Sequence, residues 1–123
     1  MSNGRIKSSQ ISASSSWDQN HQAHLARLNH RRRGRSIGAW SAKYNNRHQW
    51  IQLNLRGPTR ITVIATQGRQ DRPQWVRQYY VTYSQDGIHW AEYKYKSNRK
   101  VYNNNPLNPF SASCIFKFSQ PEP

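Results

Sequence analysis

The chain has 123 residues, the length of a single domain, and 34% of them are hydrophobic. Its five Trp, seven Tyr and three Phe exclude a disordered chain, because disordered chains are poor in aromatic residues. Nineteen Lys and Arg against five Asp and Glu give a net charge of +14. Such a charge attracts sulfated glycans, acidic lipid headgroups or nucleic acid; a solvated basic surface with no specific partner is the alternative.

A single cysteine, Cys114, allows neither an internal disulfide framework nor a cysteine-based zinc site. No apolar run approaches the roughly 20 residues that cross a bilayer. Residues 1–5 lack the apolar core of a secretory signal, so the chain as written shows no export route.

The first third of the chain indicates loops. Residues 8–16 are rich in Ser and Gln, and residues 17–21 predict an exposed loop. Residues 23–29 predict one helical turn, since so short a segment does not hold a helix by itself. Residues 30–35 form a basic run that predicts a surface loop.

The middle of the chain is strand-like. Residues 50–55 alternate strictly between apolar and polar, which places Ile51, Leu53 and Leu55 on one face of a half-buried strand. Gly57-Pro58 then predicts a turn.

Further short strands follow. Residues 61–66 are β-branched and apolar on both faces, which predicts a buried strand. Residues 78–84 predict a strand joined to residues 88–93 by a hairpin at Asp86-Gly87. Short strands, turn residues between them and no long amphipathic helix predict an all-β sandwich or barrel.

The end of the chain changes character. Asn and Pro residues interrupt the segment 103–109, and residues 114–118 predict one edge strand.

Several motifs, in order along about a hundred residues, resemble those of discoidin domains, also called coagulation factor V/VIII type C domains. In chain order they are Gly4-Arg5-Ile6, Ser9-Gln10-Ile11-Ser12-Ala13-Ser14-Ser15, Trp17, Ala26-Arg27-Leu28-Asn29, Gly38-Ala39-Trp40, Gln49-Trp50-Ile51-Gln52-Leu53, residues 61–69, Trp75-Val76, Tyr79, Val81-Thr82-Tyr83-Ser84, Asp86-Gly87 and Trp90.

The resemblance implies a jelly-roll β-sandwich or barrel with binding loops, or spikes, projecting from one end. It implies a discoidin-like domain over residues 1–102, followed by a divergent tail over 103–123 that forms an edge strand or is disordered. It also implies an extracellular or cell-surface module of adhesion, matrix assembly or coagulation that binds carbohydrate, phospholipid, collagen or cell-surface protein.

The chain departs from the family pattern in three places. The pair of cysteines that closes the domain in the family is missing, since Cys114 has no partner. Asn54 and Arg56 replace the aspartate and glycine usual after the Trp-Ile-Gln motif. The closing strands are not recognisable after Tyr102, which predicts a truncated domain with unpaired edges.

Three loops would carry the ligand contacts that the resemblance implies: a first loop (16–21), a second loop (43–48) and a third loop (69–74). The candidate ligand-binding residues are Trp17, Asp18, Asn20 and His21 in the first loop; Lys43, Tyr44, Asn45, Arg47 and His48 in the second; and Asp71, Arg72 and Gln74 in the third.

Each loop has a competing structural interpretation. Trp17 either enters a membrane interface or stacks on a sugar, or it folds inward and caps the barrel end. Lys43 and Arg47 suit sulfate, phosphate or carboxylate, whereas Asp71 and Arg72 either contact ligand or pair with each other. The residues expected to be structural are Trp40, Trp50, Arg69 and Trp90.

The densest positive cluster belongs to this chain rather than to the family motifs. Stretches rich in Lys and Arg favour heparin, nucleic-acid or targeting functions. The predicted basic patch comprises Arg27, Arg31, Arg32, Arg33 and Arg35.

Neither a metal site nor a catalytic site is indicated. His21 and His24 lack Cys or carboxylate partners in the sequence, so no metal ligand set is predicted. No cofactor is expected; calcium, which some family members bind, is the alternative, although Asp18 and Asp71 are isolated. Paired carboxylates, a supported Ser/His/Asp set and a Gly-rich phosphate loop are all missing from the sequence, which predicts a protein that is not an enzyme.

Three functions therefore stay open. The first is an extracellular recognition module that binds a glycan, phospholipid or cell-surface protein through its loops. The second is a polyanion or nucleic-acid binder through Arg31-Arg32-Arg33, although no nucleic-acid motif accompanies the charge. The third is an incomplete fragment with no function by itself.

Overall fold

The computed structural model describes residues 5–95, 98–99, 101–102 and 110–119, and the regular structure within them is almost entirely β. Three one-turn 3₁₀ helices precede or separate the first strands: Ser8–Gln10, Gln19–His21 and Ala23–Leu25. The strands are β1 (Ile11–Ala13), β2 (Trp50–Ile61), β3 (Tyr79–Ser84), β4 (Ala91–Glu92), β5 (Lys94–Tyr95), β6 (Asn98–Arg99), β7 (Val101–Tyr102) and β8 (Phe110–Ser119). The all-β prediction is confirmed, and the helical turn predicted in 23–29 is the last of the 3₁₀ helices.

Antiparallel pairing joins most strands into one sheet in the order β1-β2-β8-β3-β4, and β7 also pairs with β3. Ile11 lies opposite Leu53 where β1 meets β2. Strands β5 and β6 form a separate ribbon.

The tail contributes an interior strand. Strand β8 pairs with β2 on one side and with β3 on the other, so Phe118 lies opposite both Ile51 and Val81. Residues 114–118 do form a strand, but its predicted place at the sheet edge is wrong, since β8 lies inside the sheet. Its partner strands are far away in the sequence, so no local pattern specifies them. The disorder predicted for the rest of the tail concerns residues 103–109 and 120–123, which lie outside the described residues. The domain boundary at residue 102 stays a prediction.

Strand β2 begins as predicted and then runs further. Leu53 is buried while Ile51 and Leu55 are partly buried against the same core, as their alternation requires. The turn predicted at Gly57-Pro58 is wrong, because β2 continues through these residues by means of an irregularity in its pairing with β8. Arg56 takes the left-handed φ of 61° there, and its N–H donates to the Asn54 side chain at 2.9 Å.

The buried strand predicted over residues 61–66 is also wrong. Strand β2 ends at Ile61, which lies opposite Phe110, the first residue of β8. The residues that follow Ile61 are not in a strand. Val63 is 68% exposed, whereas Ile64 packs partly against the core.

Strand β3 supplies the centre of the core. Val81 is fully buried and Tyr79 nearly so, and both pack in one cluster with Ile11, Ala23 and Leu53. This cluster joins three strands and a 3₁₀ helix.

The predicted hairpin links β3 to β4 by a loop over residues 85–90. Asp86 Oδ1 accepts the N–H groups of Ile88 and His89 at 2.8 Å each, and Ser84 Oγ accepts that of Gly87 at 2.8 Å. Because these turns occupy residues 85–90, the second strand is only Ala91–Glu92, shorter than the predicted 88–93, and Ile88 is 76% exposed.

Replacing Val81 by Ala should lower the free energy of unfolding by about 2 kcal/mol, because two buried methyl groups are lost and a cavity is left. Val63→Ala is the matched control at an exposed position and should change stability by less than about 0.5 kcal/mol. Thermal and urea unfolding of both variants measure this. Equal effects, or a wild-type chain without a cooperative transition, would contradict the core described above.

The Asp86–His89 pair should titrate as a unit. The carboxylate of Asp86 bonds the His89 ring at 2.6 Å and raises the pKa of His89 above 6.5, while the ring and the two backbone N–H groups hold the pKa of Asp86 well below its usual range. The raised pKa of His89 stabilises the loop below pH 6.5, and that contribution is lost as the pH rises through the raised value. The lowered pKa of Asp86 stabilises it above pH 3.8 and is lost at lower pH.

An NMR titration of the His89 ring checks this expectation. In the wild-type chain the midpoint should lie above 6.5, and in Asp86→Asn it should fall towards 6.5. A midpoint that is the same in both proteins would show that the pair does not form.

Candidate functional site

The first loop (16–21) holds an exposed Trp on a fixed backbone. Trp17 is 63% exposed, so the inward-facing alternative is wrong. Its backbone N–H donates to the Ser41 carbonyl at 2.8 Å. Asp18 caps the 3₁₀ helix Gln19–His21 by accepting from the Asn20 N–H at 2.8 Å and from His21 Nδ1 at 2.5 Å. The His21 hydrogen bond lowers the pKa of the Asp18 carboxyl. Asp18 and His21 thus shape the loop, and Trp17 presents its ring to solvent.

The second loop (43–48) exposes all five of its candidate residues. The Lys43 ammonium lies over the Tyr44 ring at 5.6 Å from its centre, a cation–π contact. Asn46, which was not among the predicted site residues, organises the loop: its Oδ1 accepts from the His48 N–H at 3.0 Å and from Gln49 Nε2 at 2.8 Å. The exposed surface of this loop is cationic and aromatic.

A network around Gln49 joins the residues that lead into the first loop, Ser14 and Ser15, to the second loop. Gln49 is buried, and its Oε1 accepts from the hydroxyls of Ser14 at 2.9 Å and Ser15 at 2.6 Å. The same Ser15 hydroxyl accepts the Lys43 N–H at 3.0 Å, and the Ser15 carbonyl accepts from Trp40 Nε1 at 2.8 Å. Trp40 is half-buried, as its structural assignment requires, and so are Trp50 and Trp90. The roles of Ser15 and Gln49 were missed, although both stand inside the motifs that carry the resemblance.

The third loop (69–74) is held together by Arg69. The guanidinium donates to both Asp71 oxygens, at 2.6 and 3.3 Å, and to Gln74 Oε1 at 3.0 Å. This contact lowers the pKa of Asp71. Asp71 thus pairs with Arg69 and not with its neighbour Arg72, so that alternative is wrong. The polar groups of Asp71 and Gln74 hold the loop in shape, and Arg72 is exposed.

Four of the predicted basic residues form a tight turn, here called the arginine hairpin (residues 31–36). Arg33 and Ser36 exchange two backbone hydrogen bonds of 3.0 Å across Gly34, whose φ is 57°. Arg32 donates to the Gly34 carbonyl at 3.1 Å and lies 3.7 Å from Asp71. The fifth predicted member, Arg27, is half-buried and donates to Ser8 Oγ at 3.4 Å.

The contacts group these segments in two pairs. The first and second loops share the Gln49 network, whereas the arginine hairpin is joined to the third loop through Arg32–Asp71. A hydrogen bond of 2.8 Å from the Asn29 N–H to Gln67 Oε1 ties the same two regions at their base. One backbone hydrogen bond links the two groups. The N–H of Ile37, which follows the arginine hairpin, donates to the carbonyl of Asn20 in the first loop at 3.2 Å.

The described ranges contain neither a metal-binding cluster nor a membrane-spanning helix. No three His, Cys, Asp or Glu side chains converge there into a site that could hold a metal ion. No helix in this part of the chain is long and apolar enough to cross a bilayer.

Two glycines support the hairpin differently, which gives a test of its packing. A Cβ at Gly38 (φ 69°) would lie 2.6 Å from the Arg31 carbonyl carbon, whereas a Cβ at Gly34 would meet nothing within 4 Å. We expect Gly34→Ala to cost about 1–2 kcal/mol, from its left-handed backbone alone. Gly38→Ala should cost more, because the clash is with backbone. Urea unfolding of the two variants compares them; a Gly38 variant as stable as the Gly34 variant would contradict the close packing.

Comparison with known proteins gives one consistent result. The family model for the F5/8 type C domain matches residues 10–118. Coagulation factor V of Bos taurus is 39% identical over 113 residues, which are 85% of this chain and 5% of that protein. Lactadherin of Rattus norvegicus is 35% identical over 125 residues, 95% of this chain and 29% of that protein. The chain therefore spans only a small part of these relatives.

Solved structures agree on the fold. Discoidin II from Dictyostelium discoideum superposes with a TM-score of 0.80 at 25% identity, covering 96% of this chain and 50% of that one. CBM32-3 from a family 31 glycoside hydrolase of Clostridium perfringens gives 0.63 at 18% identity, over 94% and 80% of the two chains. The predicted discoidin-like jelly-roll class is confirmed by these likenesses. With its motifs, its strand order and its relatives in agreement, the chain belongs to the F5/8 type C, or discoidin, domain family.

Proposed function

We propose that the chain is a non-enzymatic recognition module that binds an anionic membrane surface through its first and second loops. Family members bind carbohydrates, phospholipids or proteins, and some solved neighbours are accessory modules of glycoside hydrolases. The chemistry of this chain's own loops distinguishes between these ligand classes.

The observation that carries the proposal is the exposure of Trp17. Exposing so apolar a side chain to water is energetically unfavourable. Trp17 is nevertheless 63% exposed, and its backbone N–H is bonded to the Ser41 carbonyl. Tyr44 in the second loop is 55% exposed as well, and the Gln49 network holds the two loops together. Trp and Tyr are the residues that favour the membrane–water interface, because one part of each ring is apolar and the other polar.

The charge around these rings supports an anionic surface. Lys43 lies against Tyr44 and Arg47 is exposed in the same loop, which contains no acidic residue. Basic side chains close to an acidic leaflet each contribute about 1 kcal/mol to binding. Aromatic insertion and charge attraction would therefore act together.

Carbohydrate is the second candidate, and the amide side chains of Asn20 and Asn45 favour it. They stand in the same two loops as Trp17 and Tyr44, and amides can bond the hydroxyls of a sugar whose ring stacks on an aromatic face. The extracellular or cell-surface location and the adhesion role that the resemblance implies apply equally to both candidates.

Removing both rings should weaken membrane binding. For Trp17→Ala/Tyr44→Ala we expect about tenfold or greater loss of affinity for phosphatidylcholine vesicles containing phosphatidylserine, because two apolar side chains no longer insert. Trp75→Ala is the matched control: this Trp is 57% exposed but stands outside both loops. Vesicle co-sedimentation measures the affinities, and circular dichroism checks that each variant is folded.

Equal losses in the Trp75 variant and the double variant would reject the two loops as the binding surface. Binding that ignores phosphatidylserine, combined with Trp17-dependent binding on a glycan array, would replace the membrane proposal by the carbohydrate candidate.

A further inference from the structure

We infer that the arginine hairpin is a second binding surface, separate from the first and second loops, and that its ligand is a linear sulfated glycan. The inference does not depend on the membrane proposal, because it concerns different residues and a different ligand.

The backbone of the hairpin, from which the guanidinium groups project, is ordered. Two backbone hydrogen bonds between Arg33 and Ser36 close the turn, and the backbone at Gly38 packs so closely behind Arg31 and Arg32 that no side chain fits between them. Because the turn is already ordered, binding costs less conformational entropy than it would in a flexible basic segment.

Asp71 is the acidic residue that meets the hairpin, and its oxygens are engaged. Arg69 takes both of them, and Arg32 approaches one at 3.7 Å. The Arg32–Asp71 ion pair thus connects the hairpin to the third loop. Arg31, Arg33 and Arg35 are all exposed around the same turn, and Arg72 adds a fourth exposed guanidinium beside Asp71.

The chemistry of these groups selects the ligand. A guanidinium offers a planar fork of N–H donors that binds sulfate in two contacts, and several forks on one turn suit several sulfates on one chain. Nucleic acid fits less well. Residues 27–36 contain no Phe, Tyr or Trp on which a base could stack. A single DNA-binding module also buries about 600–1,000 Å², more than one short turn offers.

The test compares two variants of equal charge. Arg31→Gln/Arg33→Gln/Arg35→Gln removes three positive charges from the hairpin, and Arg60→Gln/Arg77→Gln/Lys94→Gln removes three from exposed positions elsewhere. The probe is a heparin oligosaccharide, with chemically desulfated heparin and duplex DNA in parallel, measured by calorimetry at two salt concentrations.

We expect the hairpin variant to lose about tenfold or more in heparin affinity, and the dependence of log K on log salt to become shallower by about two to three. The control variant should lose less than about threefold, and desulfated heparin should bind neither protein measurably. Trp17→Ala/Tyr44→Ala should bind heparin like the wild type, so this result is separable from failure of the membrane proposal.

Protection of individual arginines supplies an independent measurement on the wild-type chain. Heparin should shield Arg31, Arg33 and Arg35 from a dicarbonyl reagent and leave Arg60 and Arg77 reactive. Uniform shielding, equal losses in the two triple variants, or duplex DNA bound as tightly as heparin and through the same arginines would each overturn the inference.

Discussion

The amide of Gln49 is the constraint on which the arrangement of the first and second loops depends. A buried amide without partners would be costly, so its oxygen and nitrogen must both be bonded. The serine hydroxyls that follow β1 satisfy the oxygen, and Asn46 satisfies the nitrogen from within the second loop. Since Gln49 directly precedes β2, one side chain fixes the sheet, the first loop and the second loop relative to one another. Trp17 and Tyr44 are exposed in the two loops beside this network.

Strand β8 plays the corresponding part in the sheet. It lies between β2 and β3 in the strand order and pairs with both. The loops joined by Gln49 adjoin β2, whereas the third loop leads towards β3, so both groups of loops stand on a scaffold that this strand closes. Residues far apart in sequence are thereby paired within one sheet.

Local patterns predicted what local forces determine. The alternation of Ile51, Leu53 and Leu55 gave the start of β2, and Asp86-Gly87 gave the β3–β4 hairpin, because both depend on neighbouring residues. The family resemblance identified three loops and the structural role of Arg69. The patterns failed where a distant partner decided the outcome: β2 continues through Gly57-Pro58 alongside β8, and the residues after Ile61 are not in a strand. The Arg32–Asp71 contact was out of reach for the same reason, since 39 positions separate the two residues in sequence.

Three of the five acidic residues hold loops of this chain in shape. Asp18, Asp71 and Asp86 each bond a side chain two or three positions away, so they act as clamps inside the first loop, the third loop and the β3–β4 loop. Residues 19–70 contain ten Lys and Arg and no acidic residue. The second loop and the arginine hairpin both lie in that stretch, and among the described residues Asp71 is the acidic side chain that approaches the hairpin, at Arg32. A uniform basic surface would attract any polyanion by counterion release alone. The two binding surfaces proposed above depend instead on loop shape, which these aspartates help to fix.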